Sequence, residues 1–151
     1  MRAAWESVLD RLLNAVFIAQ VQVVVIGGAA LAVRGAELMP ADIDLLTTPM
    51  GADALDLLYR EELTQPVANV DGFEWFGRAV IDGVRVEWLG TADTVFGGEW
   101  PLGAAHWSVG FPFEQVLWRA HAVRVPPLDV QRRIEEHRGR RSRIRAIDAL
   151  T

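Results

Sequence analysis

Val23-Val24-Val25-Ile26-Gly27-Gly28 and, a short spacer later, Asp42-Ile43-Asp44-Leu45-Leu46-Thr47 decide how this chain reads. The first is a β-branched run closed by two glycines, the pattern of a buried strand that ends in a sharp turn. In the second, strand alternation puts Asp42 and Asp44 on one face, because side chains two apart point the same way. Two carboxylates a few ångströms apart raise each other's pKa. Ile43, Leu45 and Leu46 argue that the strand is buried, and a buried acidic pair needs a partner. A hard divalent cation supplies one, and Mg²⁺ does so while keeping positions open for phosphates. The pair therefore reads as a metal site for phosphoryl or nucleotidyl chemistry. Glu87, in Val84-Arg85-Val86-Glu87-Trp88-Leu89, is the third acid of interest.

Outward from that pair, residues 4–19 carry Trp5, Val8, Leu9, Leu12, Leu13, Val16 and Phe17 at helical spacing, and an amphipathic helix is expected. Val21 to Ile26 is the first strand, Ala29 to Arg34 a short helix that Gly35 can end, and Asp42 to Thr47 the second strand. Ala52 to Glu62 reads as a helix. Phe73 to Ile81 and Val84 to Leu89 flank Asp82-Gly83, a hairpin signal, because a type I′ turn needs positive φ at both central residues. Residues 91–108 read as loop. Pro112 is expected to open a helix through Trp118 to about Val123, and Pro126-Pro127 another to about Arg138. Gly139 breaks it, and a last short helix runs to Leu150. The expected division is a core over 1–110 and a C-terminal helical segment over 111–151 packed on it.

Composition narrows the chemistry. The 151 residues suit one domain with a core. There is no cysteine, so disulfides, zinc-thiolate sites and thiol catalysis are excluded. All 15 cationic residues are Arg, which excludes a catalytic or phosphate-loop lysine. The longest apolar run, 23–33, is too short to span a bilayer. Glu6, Asp10 and Arg11 interrupt any leader-like pattern at the N-terminus, so no membrane role and a cytoplasmic location are expected. The net charge of −5 is uneven: residues 132–145 hold seven Arg against Glu135 and Glu136, or +5, which leaves −10 elsewhere. Such a basic tail can be a solvated helix face or a phosphate-binding one.

Ile26-Gly27-Gly28, the spacer 29–41, Asp42-Ile43-Asp44 and the strand with Glu87 together resemble the nucleotidyltransferase superfamily related to DNA polymerase β. They are most similar to its small bacterial forms, the minimal nucleotidyltransferases of toxin–antitoxin loci and the aminoglycoside and lincosamide nucleotidyltransferases. The segment from Val116-Leu117-Trp118 through Pro126-Pro127-Leu128-Asp129 resembles the C-terminal half of the aminoglycoside type. The resemblance implies an α/β (α+β) nucleotidyltransferase fold, with a short mixed sheet, helices mainly on one face and a C-terminal helical segment. It implies an NTP as donor, two Mg²⁺ ions on Asp42 and Asp44, and Glu87 as third ligand or general base. Gly27 and Gly28 would admit the triphosphate. The product would be a nucleotidylated hydroxyl on a small molecule such as an antibiotic, on a protein, or on an RNA end.

Two stretches depart from the family. Glu37-Leu38-Met39-Pro40-Ala41 lacks the hydroxyl and the base that relatives place before the aspartates, and Ser142-Arg143 lacks the acid that follows the basic residue of the last helix. Arg34 or a tail arginine is the candidate replacement for triphosphate contact. These departures favour an alternative, a non-catalytic binding module such as a toxin–antitoxin component with a protein partner. A second rival, a scaffold domain without metal, requires that Asp42, Asp44 and Glu87 do not converge. Among the histidines, His106, His121 and His137 have no ligand spacing, and His121 is expected to be structural. The tryptophans are expected in the core, with Trp100 or Trp107 free to stack on a ring.

Overall fold

The computed structural model describes residues 3–70, 73–90 and 113–150. Helix α1 (Ala4–Ala19) is followed by β1 (Val23–Ile26), α2 (Gly27–Val33), β2 (Asp42–Thr47), α3 (Pro49–Leu58) and β3 (Leu63–Val70). Then come β4 (Phe73–Ile81), β5 (Val84–Gly90), β6 (Glu114–Trp118), β7 (His121–Val125), α4 (Leu128–Arg138) and α5 (Arg141–Asp148). The main sheet is mixed and five-stranded, in the order β1-β2-β5-β4-β3, and β6 and β7 form a separate hairpin. Only β2 and β5 run parallel; the other neighbours are antiparallel.

Sheet alternation explains the layers. Val23, Val25, Ile43, Leu45, Val86 and Trp88 point into the larger core, where Trp5, Val8, Leu9, Leu12 of α1, Ala29 and Ala30 of α2, and Ala52 and Leu55 of α3 meet them. The opposite face carries Val24 and Leu46, covered by Val130 and Ile134 of α4, with Ile26 and Leu89 alongside. Asp42, Asp44 and Glu87 share the parity of Leu46 and Leu89, so they lie on this second face, at the end of the sheet that α4 leaves uncovered by apolar side chains. One tight packing point holds the first face. The indole of Trp88 donates to Asp56 Oδ1 (2.9 Å), and Asp56 Oδ2 accepts from the Val67 N–H (2.7 Å). A Cβ on Gly77 would stand 2.2 Å from Trp88 Nε1.

Two expectations fail. The helix expected from Pro112 to about Val123 gives way, over its described residues, to the β6–β7 hairpin. Val123 and Val125 are buried while Ala122 is exposed and Arg124 half-exposed, a period of two that suits a strand. Arg119 takes positive φ (55°) at the turn without glycine, which removed the usual hairpin signal. The helix expected over Ala52–Glu62 begins three residues earlier, at Pro49, where the Thr48 side chain caps it by accepting from Gly51 N (3.0 Å), and ends at Leu58. The chain then forms β3, which the sequence reading missed. The expected loop over 91–108, with His106, Trp100 and Trp107, lies outside the described residues. Among the described residues, no helix is long and apolar enough to cross a membrane.

Candidate active site

The parallel pairing of β2 with β5 sets Asp42 across from Arg85 and Asp44 across from Glu87. On the other side, antiparallel pairing puts Ile26, the last residue before the glycines, across from Asp44. Register alone therefore brings three distant stretches of sequence to one point. Asp42, Asp44 and Glu87 each offer a carboxylate oxygen, all within 4.8 Å of one another. The scaffold reading required that these acids stay apart; they converge.

Gly27 is bound tightly to this cluster. Its φ is +66°, and a Cβ there would lie 3.1 Å from Asp44 Oδ2. A residue with a side chain would be strained in backbone and would press on the carboxylate. Gly28 sits under Arg143 of α5: a Cβ there would be 3.3 Å from Arg143 Nη2. Helix α4 holds the same turn from below, because Gln131 Nε2 donates to the Gly27 carbonyl (3.2 Å). The two glycines thus keep open a narrow space between the acids and a guanidinium.

The electrostatics are unrelieved. Burial, then the charges of Asp42 and Glu87, push the Asp44 carboxyl from 3.8 up to about 7, against a smaller opposing pull from Arg143 and Arg85. Arg85 spans two of the acids, with Nη2 at 2.9 Å from Asp42 Oδ2 and Nε at 3.2 Å from Glu87 Oε1. That hydrogen bond to Asp42, followed by the Glu87 charge, holds the Arg85 guanidinium above its ordinary value. Arg78 Nε also approaches Glu87 Oε1, at 3.3 Å. The pairing of Glu87 with Arg85 and Arg78 coexists with its place in the trio. Asp44 itself has no hydrogen-bonded cation among the described residues. Three carboxylates without nitrogen or sulfur donors form a set suited to a hard cation, and a cation is what the charge on Asp44 lacks.

Other expected positions resolve differently. Arg34 is spoken for: its Nη2 pairs with Glu114 (2.6 Å) and donates to the Pro126 carbonyl (3.0 Å), tying α2 to β6 and to the start of α4. Arg143, which the sequence places where relatives carry the basic residue of the last helix, is the cation that reaches the glycine turn. Glu135, buried in α4 and paired with Arg143 (3.3 Å) and Arg140 (3.6 Å), was not singled out by sequence. Its signal was the spacing Gln131–Glu135, one helical turn on the face that meets the site. His121 is structural in its contacts: its Nε2 lies 2.6 Å from Asp10 of α1, and its ring stacks with Trp118, which stacks on Trp5.

Solved structures with this architecture are known. TM1012 from Thermotoga maritima, a proposed nucleotidyltransferase, superposes with a TM-score of 0.72 at 20% identity, over 99% of this chain and 93% of that one. The chain has the nucleotidyltransferase fold. LnuA, a lincosamide antibiotic adenylyltransferase solved with lincomycin bound, is similar with a TM-score of 0.68 at 11% identity, over 95% of this chain and 96% of that one. ANT(2'')-Ia, solved with adenylyl-2''-tobramycin, gives 0.55 at 14% identity, over 98% and 97%. No family model matches the sequence, and no curated protein matches it.

Proposed function

We propose that this chain is a Mg²⁺-dependent nucleotidyltransferase that moves a nucleoside monophosphate from an NTP to a hydroxyl acceptor. The observation that carries the reading is the meeting of Asp42, Asp44 and Glu87 within 4.8 Å, beside a glycine turn where a side chain at Gly27 would be strained and would crowd Asp44. Asp42 and Asp44 would hold Mg²⁺, with Glu87 as a third ligand or as the base that takes the acceptor's proton. Bound there, Mg²⁺ supplies charge neutralisation for the triphosphate and lowers the pKa of the attacking hydroxyl. Gly27 and Gly28 let the phosphates approach the backbone, and Arg143 faces them from the other side. The acceptor oxygen attacks the α-phosphorus in line. Its bond to phosphorus forms as the bond to the bridging oxygen breaks, pyrophosphate leaves, and Glu87 or solvent receives the proton.

An antibiotic-like small molecule is the acceptor class favoured here, on the likeness to LnuA and ANT(2'')-Ia. The −10 charge outside residues 132–145 suits a cationic acceptor; a protein side chain or an RNA end would accept by the same chemistry. The alternative, a binding module with a protein partner, draws on the missing hydroxyl and base in residues 37–41.

The test is thermal denaturation with ATP, GTP, CTP and UTP, each with and without Mg²⁺, on wild type and Asp44→Asn. A ligand at ~100 times its Kd adds roughly 2.7 kcal/mol of stability. A Mg²⁺-dependent shift in wild type that Asp44→Asn lacks supports the enzyme, and pyrophosphate release with an acceptor panel then identifies the substrate. No shift with any nucleotide would turn the reading to the binding module.

A further inference from the structure

We propose that Glu135 is a positioning residue, holding the Arg143 guanidinium over the Gly27-Gly28 turn so that it meets the polyphosphate of the incoming nucleotide. The proposal rests on the nucleotidyl-transfer reading above and deepens it.

Glu135 is only 2% exposed. A carboxylate taken out of water is costly unless it is paired and fully hydrogen-bonded, and an apolar residue of similar size often serves stability better. Here the pairing is incomplete as a stabilising device. Oε1 lies 3.3 Å from Arg143 Nη1. Oε2 faces Arg140 Nε at 3.6 Å, beyond hydrogen-bond distance, and accepts no hydrogen bond among the described residues. What the acid does achieve is directional. Arg143 is split between two targets: Nη1 is held by Glu135, and Nη2 projects to within 3.3 Å of the place a Gly28 Cβ would occupy.

The same helix face fixes the other side of the turn. Gln131, one turn before Glu135, is 4% exposed and donates to the Gly27 carbonyl at 3.2 Å. Thus α4 sets the position of the glycine backbone and of the cation above it through two residues spaced i, i+4. The brace also answers a physical problem. An arginine side chain has many rotamers to choose from, and this one stands close enough to Asp44 to act on its charge. Left free, it would swing onto the carboxylates, as Arg85 does with Asp42 and Glu87. A buried counter-charge on α4 keeps it facing the phosphate path.

Isothermal titration with inorganic tripolyphosphate in Mg²⁺ tests this on wild type, Arg143→Gln, Arg143→Lys and Glu135→Gln, with a cooperative melt required of each variant. Arg143→Gln should weaken binding at least tenfold, and Arg143→Lys, which keeps the charge but loses the fork, by less. Glu135→Gln gives the deciding sign. Removing a negative charge near an anion site should tighten binding if charge alone matters; if Glu135 positions Arg143, binding should weaken severalfold. The proposal is overturned if Glu135→Gln binds as tightly as wild type or more tightly, if Arg143→Gln binds as wild type does, or if wild type does not bind tripolyphosphate. Should Glu135→Gln fail to melt cooperatively, Glu135→Asp takes its place: it keeps the charge but shortens the reach to Arg143, so binding should weaken severalfold if Glu135 positions the guanidinium and stay at the wild-type value if it does not. Titration of wild type with Mg-NTPs separates the two failures: nucleotide binding with tripolyphosphate affinity indifferent to Arg143 and Glu135 sinks the brace alone, whereas no binding of any NTP sinks the nucleotidyl-transfer reading.

Discussion

Asp44→Asn should make this protein more stable at alkaline pH in the absence of metal. The Asp44 carboxyl is raised from 3.8 to about 7, chiefly by burial and then by Asp42 and Glu87. A carboxyl that holds its proton more tightly in the folded state contributes stability that is complete below about pH 4. That contribution falls as pH rises and is gone above about 7. A rise of about three pK units corresponds to roughly 4 kcal/mol at about 1.36 kcal/mol per unit. The neutral isostere escapes this cost, so in EDTA at pH 8 the variant should gain roughly 2–4 kcal/mol, the lower end allowing for relaxation of the site. At pH 4.5 wild type is already protonated at Asp44, and the gain should shrink below about 1 kcal/mol. Urea unfolding measures this: at a slope of about 2 kcal/mol/M the midpoint moves by roughly 1–2 M at pH 8. Mg²⁺ should then close the gap from the wild-type side, because only wild type retains the full ligand set. A variant no more stable than wild type at pH 8, or a gain of equal size at both pH values, would refute the argument that Asp44 is held charged against its surroundings.

Gly27→Ala must adopt a φ of +66° and bring a Cβ to 3.1 Å from Asp44 Oδ2; we expect a loss of about 1–2 kcal/mol in denaturant unfolding and a diminished Mg-NTP thermal shift. Gly77→Ala drives a Cβ to 2.2 Å from Trp88 Nε1, so the indole must move and release Asp56; a loss of about 3 kcal/mol is expected, with altered Trp fluorescence as the second readout. Trp88→Phe leaves Asp56 Oδ1 without its donor and should cost about 1–3 kcal/mol by the same unfolding assay. His121→Ala removes the contact to Asp10 and the stack on Trp118; the melting temperature should fall by a few degrees, while the Mg-NTP shift stays at its wild-type size.

Much of the site could be read in advance because it depends on short-range pattern. Asp42–Thr47 and the Asp82-Gly83 hairpin are where the alternation and the turn residues put them, and these elements carry all three acids. What escaped notice was of two kinds. Strand β3 contains Pro66, which cannot donate to a ladder. It is tolerated because β3 is an edge strand whose pairing with β4 shifts register three times. The β6–β7 hairpin turns at Arg119 with positive φ and no glycine, so Pro112 was left as the strongest local cue and pointed to a helix. In the hairpin, tertiary packing, through Trp118 on Trp5 and Val125 in the core, outweighs local propensity.

The same distinction applies to Arg143, whose place in the last helix the resemblance marked but whose target only three dimensions give. Seven arginines crowd 132–145, and no periodicity separates one that faces solvent from one that faces the glycines. Their partners do. Arg132 is taken up by Glu136 and Asp148, surface pairs of the kind that contribute little to stability. Arg143 instead has one nitrogen on a buried acid and the other over Gly28. The fold distinguishes them through α4, whose Val130 and Ile134 dock on Val24 and Leu46 and thereby carry Gln131 and Glu135 to the end of the sheet where Asp42 and Asp44 lie. The apolar contact sets the helix in place, and the polar residues one position along from it then act on the turn. An Ile134→Ala variant should therefore cost roughly 2–5 kcal/mol and also weaken tripolyphosphate binding, although Ile134 touches neither phosphate nor metal. If its tripolyphosphate affinity stayed at the wild-type value under conditions where the variant is fully folded, α4 would be a passive cover and not the element that positions the cation.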